Sequence, residues 1–222
     1  MSLSLYGAQA DDTTFRKKLR RLEQNVLRMG TMVETTFRLS HQALFNRDLT
    51  VVDGISRLDD EIDCYYRQIE VSCTELIIQQ GLVAQDLRII SAFMQLVRDI
   101  ERIGDYAEDL SEIAVKLFAY PVHSCMGEIE AMSHHAQAML AKSLVALGDL
   151  DGTSGAAIKR LDDVVDDAYD RLYQTIAYQR DIVGVVEPLV LMTLVIRSLE
   201  RMADHATNIG QRVSYIVTGQ RN

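Results

Sequence analysis

The chain repeats itself, and that repeat limits the possible folds more than any other feature. Glu101-Arg102-Ile103-Gly104-Asp105-Tyr106-Ala107 and Glu200-Arg201-Met202-Ala203-Asp204-His205-Ala206 share four identical and two similar positions out of seven. Upstream, Arg57-Leu58-Asp59-Asp60-Glu61-Ile62-Asp63 matches Arg160-Leu161-Asp162-Asp163-Val164-Val165-Asp166. Further back, Ala43-Leu44 and Asp48 are set against Ala146-Leu147 and Asp149. The matches keep their order and rough separation, which points to duplication of one structural unit.

Each unit reads as helical. Leu96, Ile100, Ile103, Ala107, Leu110 and Ala114 recur at alternating spacings of three and four, and Val195, Leu199, Met202, Ala206, Ile209 and Val213 repeat the pattern. Such stripes face a core. With only two prolines in 222 residues, few breaks are enforced. The spacing predicts six helices, roughly 13–46, 50–80, 83–118, 124–148, 153–179 and 184–218. Pro121 closes the first unit. Asn46-Arg47-Asp48, Gln80-Gly81, Gly148-Asp149-Leu150-Asp151-Gly152 and Asp181-Ile182-Val183-Gly184 are the softer breaks. Short connections make neighbouring helices antiparallel. The predicted fold class is all-α, two tandem antiparallel three-helix bundles, with repeats over 13–119 and 124–218 after a disordered leader, 1–12.

Composition narrows the function. The net charge is −9 and the pI about 5.0, which disfavours non-specific nucleic-acid binding and docking on anionic lipid. Three cysteines without a Cys-x-x-Cys spacing suit a reducing cytoplasm better than a disulfide framework. The most apolar stretch, Val185 to Ile196, is interrupted by Glu187 and Pro188 and is too short to span a bilayer. No Gly-rich phosphate loop and no nucleophile beside a base stands out.

The chemistry-bearing residues are carboxylates at helical spacing. Glu101, Asp105 and Asp109 share a face, as do Glu200, Asp204 and Asn208. On the preceding helices Asp59 aligns with Asp63, and Asp162 with Asp166 and Asp170. All four sets read as lying on the outer flank of their helices. Like charges at this spacing cost a helix about 0.2–0.5 kcal/mol per pair, so the arrangement calls for cations. Two sources are open at this point: a bound metal, or Arg98, Arg102, Arg197 and Arg201. An oxygen-only set suits magnesium, calcium, manganese or ferric iron better than zinc. The Glu-x-x-His of ferritin-like di-iron sites does not occur. The five histidines, His134, His135 and His205 among them, read as surface or core-edge residues rather than ligands.

Asp86-Leu87-Arg88, Asp99-Ile100-Glu101-Arg102-Ile103-Gly104-Asp105-Tyr106-Ala107 and Leu199-Glu200-Arg201-Met202-Ala203-Asp204-His205-Ala206-Thr207-Asn208-Ile209 resemble the signature of the PhoU family of phosphate-transport regulators. The resemblance runs from about Phe15 to Val217. It implies two similar three-helix bundles side by side and a non-enzymatic role. It also implies surface metal clusters of iron, zinc, manganese or magnesium on Glu/Asp-x-x-x-Asp motifs. Here these map to Glu101/Asp105 and Glu200/Asp204, with Asp59/Asp63 and Asp162/Asp166 beside them, and Asp109, Asn208 and Asp170 as weaker candidates. The implied partners are a PstB-like ATPase of the PstSCAB phosphate transporter and a PhoR-like sensor histidine kinase. Contact with membrane complexes would be peripheral, and a homodimer is a further option. Asn208 in place of Asp109 lowers the charge of the second patch, so a weaker second site is expected.

Overall fold

The heptad-like stripes fold as their spacing requires. The computed structural model describes residues 13–78, 82–180 and 184–220. It has six helices: α1 (Thr13–Phe45), α2 (Val52–Ile78), α3 (Ala84–Leu117), α4 (Met126–Asp149), α5 (Gly155–Ala177) and α6 (Glu187–Thr218). A short 3-10 turn, Leu49–Val51, leads into α2. There is no strand among the described residues. The expected leader, the Gln80-Gly81 break and most of the Asp181–Gly184 break lie outside them. Pro121 follows the end of α3 by four residues, and Pro188 sits in the first turn of α6, where its missing N–H costs nothing.

The helices differ in how much they bury. α3 and α6 each carry sixteen buried residues, whereas α2 and α5 carry five each, which makes the former pair central and the latter peripheral. α3 packs on both α1 and α6, and α4 packs on both α1 and α6, so these four form a closed ring of contacts. α2 lies against α1 and α3, and α5 against α4 and α6. The two three-helix bundles therefore share one continuous apolar core, with Ile100, Ile103, Leu199 and Met202 at its centre. Truncating such a residue to alanine costs about 2–5 kcal/mol. Among the described residues, no helix is long and apolar enough to cross a membrane.

Close backbone approach explains two of the small residues. A Cβ on Gly30 of α1 would fall 2.5 Å from Leu144 Cδ2 of α4, so a larger residue there would make the Leu144 side chain turn aside. A Cβ on Gly104 would meet Ile62 at 3.5 Å, ordinary contact, and the second copy accordingly accommodates Ala203.

The duplication is visible in the turns, with one correction to its alignment. α1 and α4 both run into a left-handed residue, Arg47 (φ 57°) and Leu150 (φ 49°), the latter between Gly148 and Gly152. After it comes an aspartate whose Oδ1 accepts from the backbone N and the hydroxyl two residues on. Asp48 does so from Thr50 at 3.1 and 2.6 Å, and Asp151 from Thr153 at 2.9 and 2.6 Å. Asp48 therefore corresponds to Asp151, not to Asp149. The left-handed conformation costs a non-glycine residue about 1–2 kcal/mol. At Arg47 the guanidinium offsets it by donating to the carbonyls of Tyr120 and Phe118 and by lying over the Phe118 ring.

Candidate metal centre

In the first half, α2 runs antiparallel to α3 with Ile62 against Gly104. This register brings Asp59 and Asp63 to the side of α3 that carries Glu101, Asp105 and Glu108. Their crowding is severe. Burial, then Glu108, Asp105 and Asp63, push the Asp59 carboxyl up to about 7. Glu101 is also raised, by burial and then Asp105, with Arg102 and Arg98 opposing. Burial likewise raises Asp105, although Arg102 donates to its Oδ2 at 2.5 Å. Arg67 lies 3.7 Å from Asp63. The arginine reading is therefore met only in part, because paired arginines leave the carboxyls short of positive charge.

Glu108 escaped the motif-based reading. It lies seven residues after Glu101 and three after Asp105, so it shares their face. Asp109, the residue chosen instead, is exposed; burial and Glu112 raise it, while Arg102 and Lys116 pull it back.

The second half repeats the arrangement with different contents. Asp162 and Asp166 of α5 face Glu200 and Asp204 of α6. Burial, then Asp162, raise Asp166, with Asp204 adding to the effect. Burial, then Asp204, raise Glu200, although Arg197 donates to both of its oxygens at 2.9 and 2.8 Å. Arg201 approaches Asp204 at 3.6 Å. Asp162 is not on an outer flank, as the spacing suggested, but 4% exposed. Lys159 donates to its Oδ2 at 2.8 Å, while Oδ1 is buried without a hydrogen-bond partner. Thr207, the counterpart of Glu108, also has a buried, unpartnered hydroxyl oxygen. Asp170 is exposed at the far end of the stripe.

Asn208 faces the other way. Its Nδ2 donates to Asp99 Oδ1 of α3 at 3.3 Å, and His205 Nδ1 lies 2.9 Å from the same oxygen. Arg212 Nε comes within 3.5 Å of Asp99 Oδ2. Asn208 and His205 thus belong to the seam between α3 and α6, where a carboxylate 8% exposed needs donors. The i,i+4 spacing placed Asn208 on the acidic stripe because it contained no information about α3.

One polar chain connects the two patches. Arg102 lies over the Tyr106 ring, and the nearby charges of Arg201 and Arg102 hold the phenol below its usual range despite burial. Arg102 also pairs with Asp105, and Arg201 with Asp204. Arg102 and Arg201 are counterparts in the two copies, so Tyr106 sits where the repeats meet.

The donor chemistry fits hard cations. Each patch offers carboxylate oxygens from two facing helices, as magnesium, manganese or iron would use. The raised carboxyls of the first patch and the orphaned Asp162 oxygen of the second both mark local charge left uncompensated by protein donors. In neither patch do three ligand atoms lie within 4.8 Å of one another, so side chains would have to turn inward to hold an ion.

The PhoU domain model matches twice, over residues 26–114 and 129–213. The chain belongs to the PhoU family. It is 61% identical over 220 residues to a phosphate-specific transport system accessory protein PhoU homolog of Synechocystis, covering 99% of this chain and 98% of that one. The crystal structure of PhoU from Pseudomonas aeruginosa superposes with a TM-score of 0.89 at 27% identity, covering 93% of this chain and 100% of that one. The phosphate transport system regulatory protein PhoU from Streptococcus pneumoniae superposes with a TM-score of 0.85 at 26% identity, covering 94% and 99%. The two PhoU domain matches contain the two acidic patches.

Proposed function

We propose that this chain restrains phosphate uptake and phosphate-starvation signalling, working as a cytoplasmic adaptor rather than an enzyme. In this reading it joins a PstB-like ATPase of a phosphate ABC transporter to a PhoR-like sensor histidine kinase. What carries the reading is the close, nearly full-length likeness to a relative named as an accessory protein of the phosphate-specific transport system. The working surface in this reading is the acidic face of each repeat. Two acidic patches, one per repeat, are joined through Arg102, Tyr106 and Arg201. Glu101, Asp105, Asp59 and Asp63 would hold cations in the first patch, and Glu200, Asp204, Asp162 and Asp166 in the second. Bound manganese, magnesium or iron would supply the missing positive charge and fix the facing helices.

The test is binding of the purified chain to its host's transporter ATPase and to the kinase's cytoplasmic part, with and without manganese. The reading expects specific binding that weakens when Glu101, Asp105, Glu200 and Asp204 are neutralised together. A folded, metal-loaded chain that binds neither partner contradicts it.

A further inference from the structure

A different donor set lies between α1 and α4, helices that carry none of the acidic stripes. Glu130 and His134 are four residues apart on α4 and share a face. His41 of α1 packs against that face. Its Nε2 is 3.9 Å from Glu130 Oε1, and its ring centroid is 4.6 Å from that of His134. One ligand atom from each of the three residues lies within 4.8 Å of the other two. No other group of three histidine, cysteine or acidic residues does this among the described residues. The acidic and imidazole pair on α4 is a Glu-x-x-x-His, completed by a histidine from another helix.

The surroundings suit a ligand histidine. His41 Nδ1 lies 3.0 Å from the hydroxyl of Ser133, which is fully buried. With Nδ1–H donated to that oxygen, Nε2 keeps its lone pair and faces Glu130. Metal-binding histidines are commonly oriented in this way by a partner on the second nitrogen. Burial, then His134, hold His41 below the ordinary histidine range, in keeping with the neutral form a metal requires. A tetrahedral ion with bonds of about 2.0–2.2 Å needs ligand atoms about 3.3–3.5 Å apart. His134 is exposed and the Glu130 side chain is 43% exposed, so both are free to close that small gap.

We propose that His41, Glu130 and His134 form a zinc site with water in the fourth position. Two imidazoles and one carboxylate are donors that suit zinc, unlike the oxygen-only patches. His41 comes from the first repeat and the other two from the second, so the ion would clip the halves together across the α1–α4 contact. The proposal stands apart from the adaptor reading and from the acidic patches.

The experiment titrates the chelator-stripped full chain with zinc, and with cobalt(II) as a visible probe. The expected cobalt spectrum shows the intense bands of a four-coordinate, nitrogen-containing site, abolished by added zinc. His134→Ala, at an exposed position, should weaken zinc binding by at least about tenfold. His41→Gln should do the same, and His134→Ala keeps the test open if His41→Gln fails to fold. The combined Glu101→Gln, Asp105→Asn, Glu200→Gln and Asp204→Asn variant should leave this binding intact. The proposal is overturned if the cobalt bands stay weak and octahedral. It is also overturned if both histidine variants stay within about twofold of the wild type, or if zinc is lost only with the acidic substitutions.

Discussion

The two acidic patches have the same ancestry but different chemistry. Both retain a Glu-x-x-x-Asp on the central helix and an Asp-x-x-x-Asp on its outer neighbour. They diverge in the next turn, where the first has Glu108 and Asp109 and the second has Thr207 and Asn208. In the first patch the added acid crowds Asp59 and pushes it up to about 7. In the second, Lys159 pairs with one oxygen of the buried Asp162 and leaves the other without a partner, and Asn208 serves Asp99 across the seam. Duplication preserved the carboxylate positions. Packing of α3 on α6 then gave aligned residues different tasks, since a seam between two copies cannot present the same surroundings to both.

The sharpest way to test this contrast is at the aligned pair Asp109 and Asn208. Asn208→Asp puts a second carboxylate beside buried Asp99 and should destabilise the chain by about 2–4 kcal/mol. Asp109→Asn, at an exposed position, should stay within about 0.5 kcal/mol. Urea denaturation of the two variants measures the difference; equal effects would mean that the seam does not distinguish them.

A second contrast is in pH dependence. Asp59 has a folded-state value raised from 3.8 to about 7. Its favourable contribution is complete below pH about 4 and is lost as the pH rises through about 7. Without divalent cations, stability should fall across that window. Asp59→Asn should flatten the fall, and Glu108→Gln should move it to lower pH. Denaturation midpoints at several pH values in chelator give the result; an unchanged profile in both variants contradicts the crowding argument.

The smallest effect concerns the link between the patches. Tyr106→Phe removes the hydroxyl shared by Arg102 and Arg201 and should cost about 1–2 kcal/mol. It should also uncouple cation binding at the two patches. A calorimetric titration in which the variant keeps wild-type coupling would show that Tyr106 only packs.

Much of the fold could be read from local spacing. The stripes from Leu96 to Ala114 and from Val195 to Val213 are buried residue for residue. The resemblance placed Asp59 and Asp63 beside Glu101 and Asp105, and the packing of α2 on α3 brings them together. What escaped depends on register between distant helices. Glu108 matters because of where α2 lies, Asn208 because of α3, and His41 because α1 meets α4 near Ser133. The left-handed turns fell on Arg47, whose guanidinium reaches the carbonyls of Tyr120 and Phe118, and on Leu150, which packs against the core despite the glycines beside it.

Titration of the chelator-stripped chain with manganese, a hard ion that prefers oxygen donors, tests the central claim most directly. The account predicts two unequal classes of site. Glu101→Gln with Asp105→Asn should remove the tighter class, and Glu200→Gln with Asp204→Asn the weaker. Equal tight occupancy of both patches, or no manganese binding by the folded chain, would contradict it.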